Sequence, residues 1–137
     1  MRILHVFDHS LPERSGYSLR SAAILREQRR LGWETAQVTG PKHTLAAPAR
    51  ESIEGFDFYR TVSPASALAR LPAVGQLDVV RRLRSRLKEI IRLEEPDVLH
   101  AHSPCLNGLA ALGLGKPLLY ELRSSWEDAA VSSGLTT

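Results

Sequence analysis

The sequence predicts an α/β domain, a mostly parallel sheet covered by helices on both faces. Three observations point to it. Short apolar, β-branched runs recur along the chain, helix-forming stretches separate them, and turn residues fall at the junctions. Strands alternating with helices require right-handed crossovers, which build a parallel sheet and place ligands outside the carboxyl ends of its strands.

Arg2 to Phe7 (RILHVF) is the first strand, opened into a loop by Asp8-His9-Ser10. Its apolar run is too short for a signal peptide or a membrane span. After Leu11-Pro12-Glu13-Arg14-Ser15-Gly16 a helix is expected from about Tyr17 to Leu31, closed by Gly32, with Ser15 or Ser18 able to cap its start. Trp33 to Thr39 reads as the second strand, stopped by Gly40-Pro41. Phe56 to Val62 alternates apolar and polar residues as a third strand would, and the Ala/Pro-rich stretch Ser63 to Val74 reads as a connecting loop.

Val79 to Glu95 carries the clearest helical signal. Val80, Leu83, Leu87, Ile90 and Ile91 recur on one face, while Arg81, Arg82, Arg84, Lys88 and Arg92 fill much of the rest, and Pro96 ends it. Asp97 to His102 should be a parallel strand, Pro104 to Leu114 a small-residue helix closed by Gly113 and Gly115, and Pro117 to Leu122 the last strand. The strand ends then carry Asp8-His9, His100-His102-Ser103 and Glu121-Arg123, which topology brings to one rim.

A length of 137 residues fits one domain, and 43% hydrophobic with 24% charged residues is ordinary for a chain that buries a core. The single cysteine, Cys105, makes no intrachain disulfide, and no Cys/His cluster stands at the spacing of a structural zinc, so a reducing cytoplasm and no metal are expected. His100 and His102 are read as alternating to opposite faces of their strand, and therefore not as a shared metal pair. A formal charge of +3 permits attraction to phosphates or anionic headgroups without requiring it, and no nucleic-acid partner is indicated. The basic helix reads first as a solvated face, because Asp78, Glu89, Glu94 and Glu95 offset its charge; peripheral contact with an anionic membrane is the other reading.

The stretches RILHVFDHSLPERSGYSLRSAAILREQRRLGWETAQVT and PDVLHAHSPCLNGLAALGLGKPLLYELRSSWEDAA together resemble the retaining family-four glycosyltransferases of GT-B fold. The order DHSLP, SGY, HAHSP, NGL, YELR and WEDA looks most like the bacterial type associated with exosortase loci and exopolysaccharide assembly. The resemblance implies two Rossmann-like domains facing across a cleft. The chain would be the N-terminal, acceptor-side one, ending before a donor-binding domain that holds a nucleotide-sugar as substrate rather than cofactor. A glycan or lipid-linked glycan acceptor is implied, and so is a chain that is inactive alone. The competing reading is a non-catalytic acceptor-binding half that needs a separate donor-binding chain.

Carried onto this sequence, the resemblance makes Ser15, Gly16, Tyr17, Arg20, His102, Ser103, Asn107, Glu121 and Arg123 the candidate acceptor- or phosphate-binding residues, with none marked as catalytic. Gly16 allows backbone approach to a ligand ahead of a helix N-terminus, although no G-x-G-x-x-G fingerprint is present. Arg123 stands where many relatives have a histidine. A guanidinium holds anions but moves no protons, which favours an anion site over a histidine-centred one. Glu121, Glu127 and Asp128 read as ion partners of that arginine rather than as an acid/base pair. A response-regulator-like domain is disfavoured because Asp8 lacks an acidic neighbour, and a flavodoxin-like one because no flavin loop is recognisable. A sheet edge and apolar surface left uncovered near the chain end predict modest stability for the isolated chain.

Overall fold

A computed structural model describes residues 1–43 and 48–123. Its elements in chain order are β1 (Arg2–Phe7), α1 (Gly16–Arg30), β2 (Glu34–Thr39), β3 (Arg50–Ile53), β4 (Phe56–Arg60), a 3-10 turn (Ala67–Arg70), α2 (Pro72–Glu94), β5 (Val98–His102), α3 (Cys105–Ala111) and β6 (Leu118–Glu121). The strands form one sheet in the order β3-β4-β2-β1-β5-β6, parallel throughout except that β3 runs against β4. This is the expected mostly parallel, Rossmann-like arrangement. The sequence order of the strands reverses direction between β1 and β5, so the rim at their carboxyl ends is the topological switch point.

Strand periodicity sorts the core into two layers. Leu4 and Val6 of β1 face α2 and α3, where they pack with Val38, Leu99, Ala101, Leu83, Leu87, Ile90, Ala110 and Ala111. Phe7 faces α1 and packs with Leu11, Ala22, Leu25, Phe56 and Phe58. Between these layers β1 and β5 also place His5, His100 and His102 on the α1 side, where an apolar residue would be ordinary.

Helix α1 begins because the Ser15 side chain accepts a hydrogen bond from the Ser18 backbone N–H, and Gly32 follows its last turn at φ +86, a conformation that favours glycine. Three arginines of α2 fasten neighbouring loops instead of facing open solvent. Arg82 donates to the Ser63 carbonyl, Arg84 to those of Ala110 and Leu112, and Arg86 to those of Arg60 and Ala49.

Two elements differ from expectation. Helix α2 starts at Pro72, seven residues before Val79, and the segment ahead of it contains the 3-10 turn rather than loop alone. Its first two turns bury almost nothing, with Leu77 68% exposed, so the apolar periodicity that marks the rest is missing there. Proline at the first helical position, which needs no hydrogen-bonded N–H, was the available signal. Strand β3 also went unread, because Arg50-Glu51-Ser52-Ile53 has one apolar residue. It is held by a two-residue turn, Glu54-Gly55, with both residues at positive φ.

At Gly75 an added Cβ would lie 2.6 Å from the Ala69 carbonyl oxygen, a backbone atom with little freedom to retreat. Gly75→Ala is expected to destabilise the protein by about 1–3 kcal/mol in urea denaturation, the clash outweighing alanine's helix preference. An unchanged midpoint would show that the 3-10 turn yields freely.

Candidate functional site

Three loops meet at the switch point: the one after β1, the start of α3 after β5, and the segment after β6. All nine candidate residues lie in or beside them, and hydrogen bonds tie most of them together.

Glu121, at the end of β6, is the centre of charge. Its carboxylate lies 3.0 Å from Arg20 Nη2 of α1, 3.0 Å from His100 Nε2, 3.3 Å from His102 Nδ1 and 3.5 Å from Arg123 Nε. Arg20 is exposed and Glu121 partly so; this pair faces the open rim. Arg123 is turned inward, its side chain only 6% exposed. Its guanidinium donates to the Tyr17 carbonyl at 3.1 Å, to Ser21 Oγ at 2.9 Å and to His102 Nδ1 at 2.8 Å, while lying over the Tyr17 ring. The anion-binding role considered for Arg123 thus competes with internal acceptors at both Nη atoms, while its buried Nε has no hydrogen-bond partner among the described residues.

His102 is fully buried and His5, fully buried beside it, bonds to it, with His5 Nδ1 2.9 Å from His102 Nε2. His5 Nε2 in turn lies 2.7 Å from Gln28 Oε1 on α1. The rings of His100 and His102 stack at 4.0 Å, which corrects the expectation that they face opposite ways. Side chains alternate along a strand, so residues two apart share a face. The register His5↔His100 across β1 and β5 adds the third ring to that face. One ring nitrogen from each of His5, His100 and His102 lies within 4.8 Å of the other two, and these are the side chains that could hold a metal among the described residues.

Burial disfavours charge on all three imidazoles. It pushes His5 down to about 3, with His100 nearby adding to the effect. His102 is lowered by burial and then by His100, His5, Arg123 and Arg20; His100 is lowered by burial, against the opposing pull of Glu121. At neutral pH the contacts of His100 and His102 with Glu121 therefore involve neutral rings. Burial also raises the Tyr17 phenol to about 12, so it stays protonated; its oxygen accepts from the Asp8 N–H at 3.1 Å.

The remaining candidates are spent locally. Ser103 Oγ accepts from the Arg123 N–H at 3.2 Å, and Asn107 Nδ2 donates to the His102 carbonyl at 2.8 Å, both residues being buried. Ser15 Oγ lies 2.9 Å from His9 Nε2, whose Nδ1 is 3.3 Å from Asp8 Oδ2. That sequence of carboxylate, imidazole and hydroxyl is the order of a nucleophile relay, but Ser15 Oγ is already committed to Ser18 as the helix cap. Gly16 is exposed at the same helix start. Glu127 and Asp128 lie outside the described residues.

Sequence reading missed His5, Gln28 and Ser21. For His5 the signal was present, since it alternates with Ile3 and Phe7 on a face that should be apolar. Gln28 and Ser21 sit on a helix whose polar residues carry no mark of their partners.

A family model described as a glycosyl transferase 4-like domain matches residues 15–136. The chain belongs to that family. No curated protein matches it in sequence. Among solved structures this glycosyl transferase 4-like domain is similar to UDP-GlcNAc 2-epimerase from Neisseria meningitidis bound to UDP-GlcNAc, at 15% identity and TM-score 0.55, covering 88% of this chain and 31% of that one. It is also similar to sucrose-phosphate synthase from Thermosynechococcus elongatus, at 12% identity and TM-score 0.58, covering 88% and 32%. The domain spans about a third of the length of those two proteins. The C-terminal domain of a hydrogenase from Pyrococcus furiosus matches at 13% identity and TM-score 0.58, covering 88% of this chain and 90% of that one. Such likenesses establish the fold of the glycosyl transferase 4-like domain, not its chemistry.

Proposed function

We propose that the chain is the acceptor-side part of a glycosyltransferase that moves a sugar from a nucleotide-sugar to a glycan or lipid-linked glycan, of the bacterial exopolysaccharide type that its sequence motifs resemble, working at the cytoplasmic side of the membrane. The observation that carries the reading is the rim at the switch point. There one carboxylate, Glu121, lies between Arg20 on the open side and Arg123 beneath it, on the rim that also carries the exposed Gly16 at a helix start. A carboxylate accepts hydrogen bonds from sugar hydroxyls, and the arginine beside it suits a phosphate or an acidic sugar. Among the described rim residues Ser15 caps a helix and Tyr17 holds its proton, which supports a binding and orienting role for them. No helix among the described residues is long and apolar enough to cross a membrane.

The test is turnover by the gene product that carries this chain, given UDP- and GDP-sugars and a panel of glycan and lipid-linked acceptors. Acceptor-dependent release of nucleotide with a glycosylated product is expected, and none from any pairing would refute the reading. Turnover that appears only when a second, donor-binding chain is supplied identifies the half-enzyme version. Glu121→Ala is expected to lower kcat/KM for the acceptor roughly 10- to 100-fold, the loss of a hydrogen bond to a charged group.

A further inference from the structure

We infer that Gln28, His5, His102 and Arg123 form one directional chain of hydrogen bonds, which fixes both imidazoles as neutral Nε2–H tautomers and makes Arg123 a positioning residue for the Glu121 carboxylate.

The direction follows from Arg123, which has donors and no acceptor. Its Nη2–H points at His102 Nδ1 at 2.8 Å, so that nitrogen offers its lone pair and the ring proton of His102 sits on Nε2. Nε2–H then donates to His5 Nδ1 at 2.9 Å, which places the His5 proton on Nε2. That N–H donates to Gln28 Oε1 at 2.7 Å. Each link has one donor and one acceptor, and no ring nitrogen of His5 or His102 is left over. The groups facing the chain are His100, Glu121 and Arg20 as well as its own members.

The chain spans three elements, α1, β1 and β5, and ends on Arg123, two residues beyond β6. It thereby couples the seating of α1 on the sheet to the position of Arg123, whose Nε lies 3.5 Å from Glu121. A divalent metal on the three imidazoles would need a lone pair from each ring, and those of His102 Nδ1 and His5 Nδ1 are already taken by Arg123 and His102. It would also meet two guanidinium groups against one carboxylate. The chain stands whether or not the rim binds a sugar; only its service to Glu121 as a substrate contact rests on the glycosyl-transfer reading.

Long-range 1H–15N correlation of the histidine side chains of the chain is the deciding measurement. At pH 7 His5 and His102 should both appear as neutral Nε2–H tautomers. Nδ1–H on either ring, or a charged ring, overturns the inference. Arg123→Lys keeps a donor and should leave both tautomers unchanged. Arg123→Glu supplies an acceptor, and both rings should invert to Nδ1–H, with the Gln28 amide turning to donate. Inversion of His102 with His5 unmoved would show two separate contacts instead of a chain. Titration with Co2+ is the independent check on the unmodified chain: no tetrahedral visible absorption is expected, and a stoichiometric band would overturn the assignment.

Discussion

Lowering the pH from 7 to 4 should cost the protein at least about 3 kcal/mol of unfolding free energy, most of it traceable to the buried imidazoles. An unfolded histidine takes up a proton near pH 6.5. His5 in the folded chain is held down to about 3, because burial penalises the cation and the neighbouring His100 adds to it. The unfolded state therefore binds more protons between those values, and stability falls as pH drops through that window. One such group contributes about 1.4 kcal/mol per pH unit. His102 is lowered for the same leading reason and steepens the slope. Folded domains commonly have about 5–15 kcal/mol in hand, so acid unfolding well above pH 3 is expected. Urea denaturation at pH 7, 6, 5 and 4 gives the slope directly; a flat profile would mean the imidazoles are accessible to protons in the folded chain. Above pH 7 the same groups should contribute no pH dependence.

The second large effect is expected at Arg60. This side chain at the end of β4 is 2% exposed, and its guanidinium is held by Glu51 at 2.7 Å, Ser10 Oγ at 2.6 Å, the Leu11 carbonyl at 2.6 Å and Thr39 Oγ1 at 3.2 Å. It also lies over the Phe58 ring. Arg60→Met keeps the bulk and removes every donor, leaving a partly buried carboxylate, two hydroxyls and a carbonyl without their partner. A loss of about 3–5 kcal/mol is expected from chemical denaturation. Arg60→Lys, which restores the charge but not the fork, should recover only part of it. A loss below about 1 kcal/mol would show that water replaces the guanidinium without difficulty.

How much of this was legible in the sequence depended on whether burial or partnership wrote the signal. The strands RILHVF, ETAQVT and VLHAH and the helix over Leu83 to Ile90 announce themselves because each buries an apolar face. Their order suffices to predict the parallel sheet and the rim on which the candidate residues gather. β3 and the first turns of α2 have no such face, being held by a tight turn and by a close backbone approach. The rim itself was legible as a place but not as a set of bonds. Nothing near Arg123 in sequence indicates that its acceptors are Tyr17, Ser21 and His102, about twenty to a hundred residues away. His5 was legible in principle, since the alternation that hid the relation of His100 to His102 when misapplied places all three rings together when applied with its true period of two.

The antiparallel β3 has a consequence for the company this sheet can keep. By covering the flank of β4 with a four-residue segment bearing Arg50 and Glu51, it offers a foreign strand a brief template dressed in opposite charges and turned against the prevailing direction. Short, charged borders of this kind discourage fibrous stacking of one copy on the next. Trimming that ribbon back, by loosening the Glu54-Gly55 corner, would bare the longer parallel flank beneath and offer a second copy a strand to pair with.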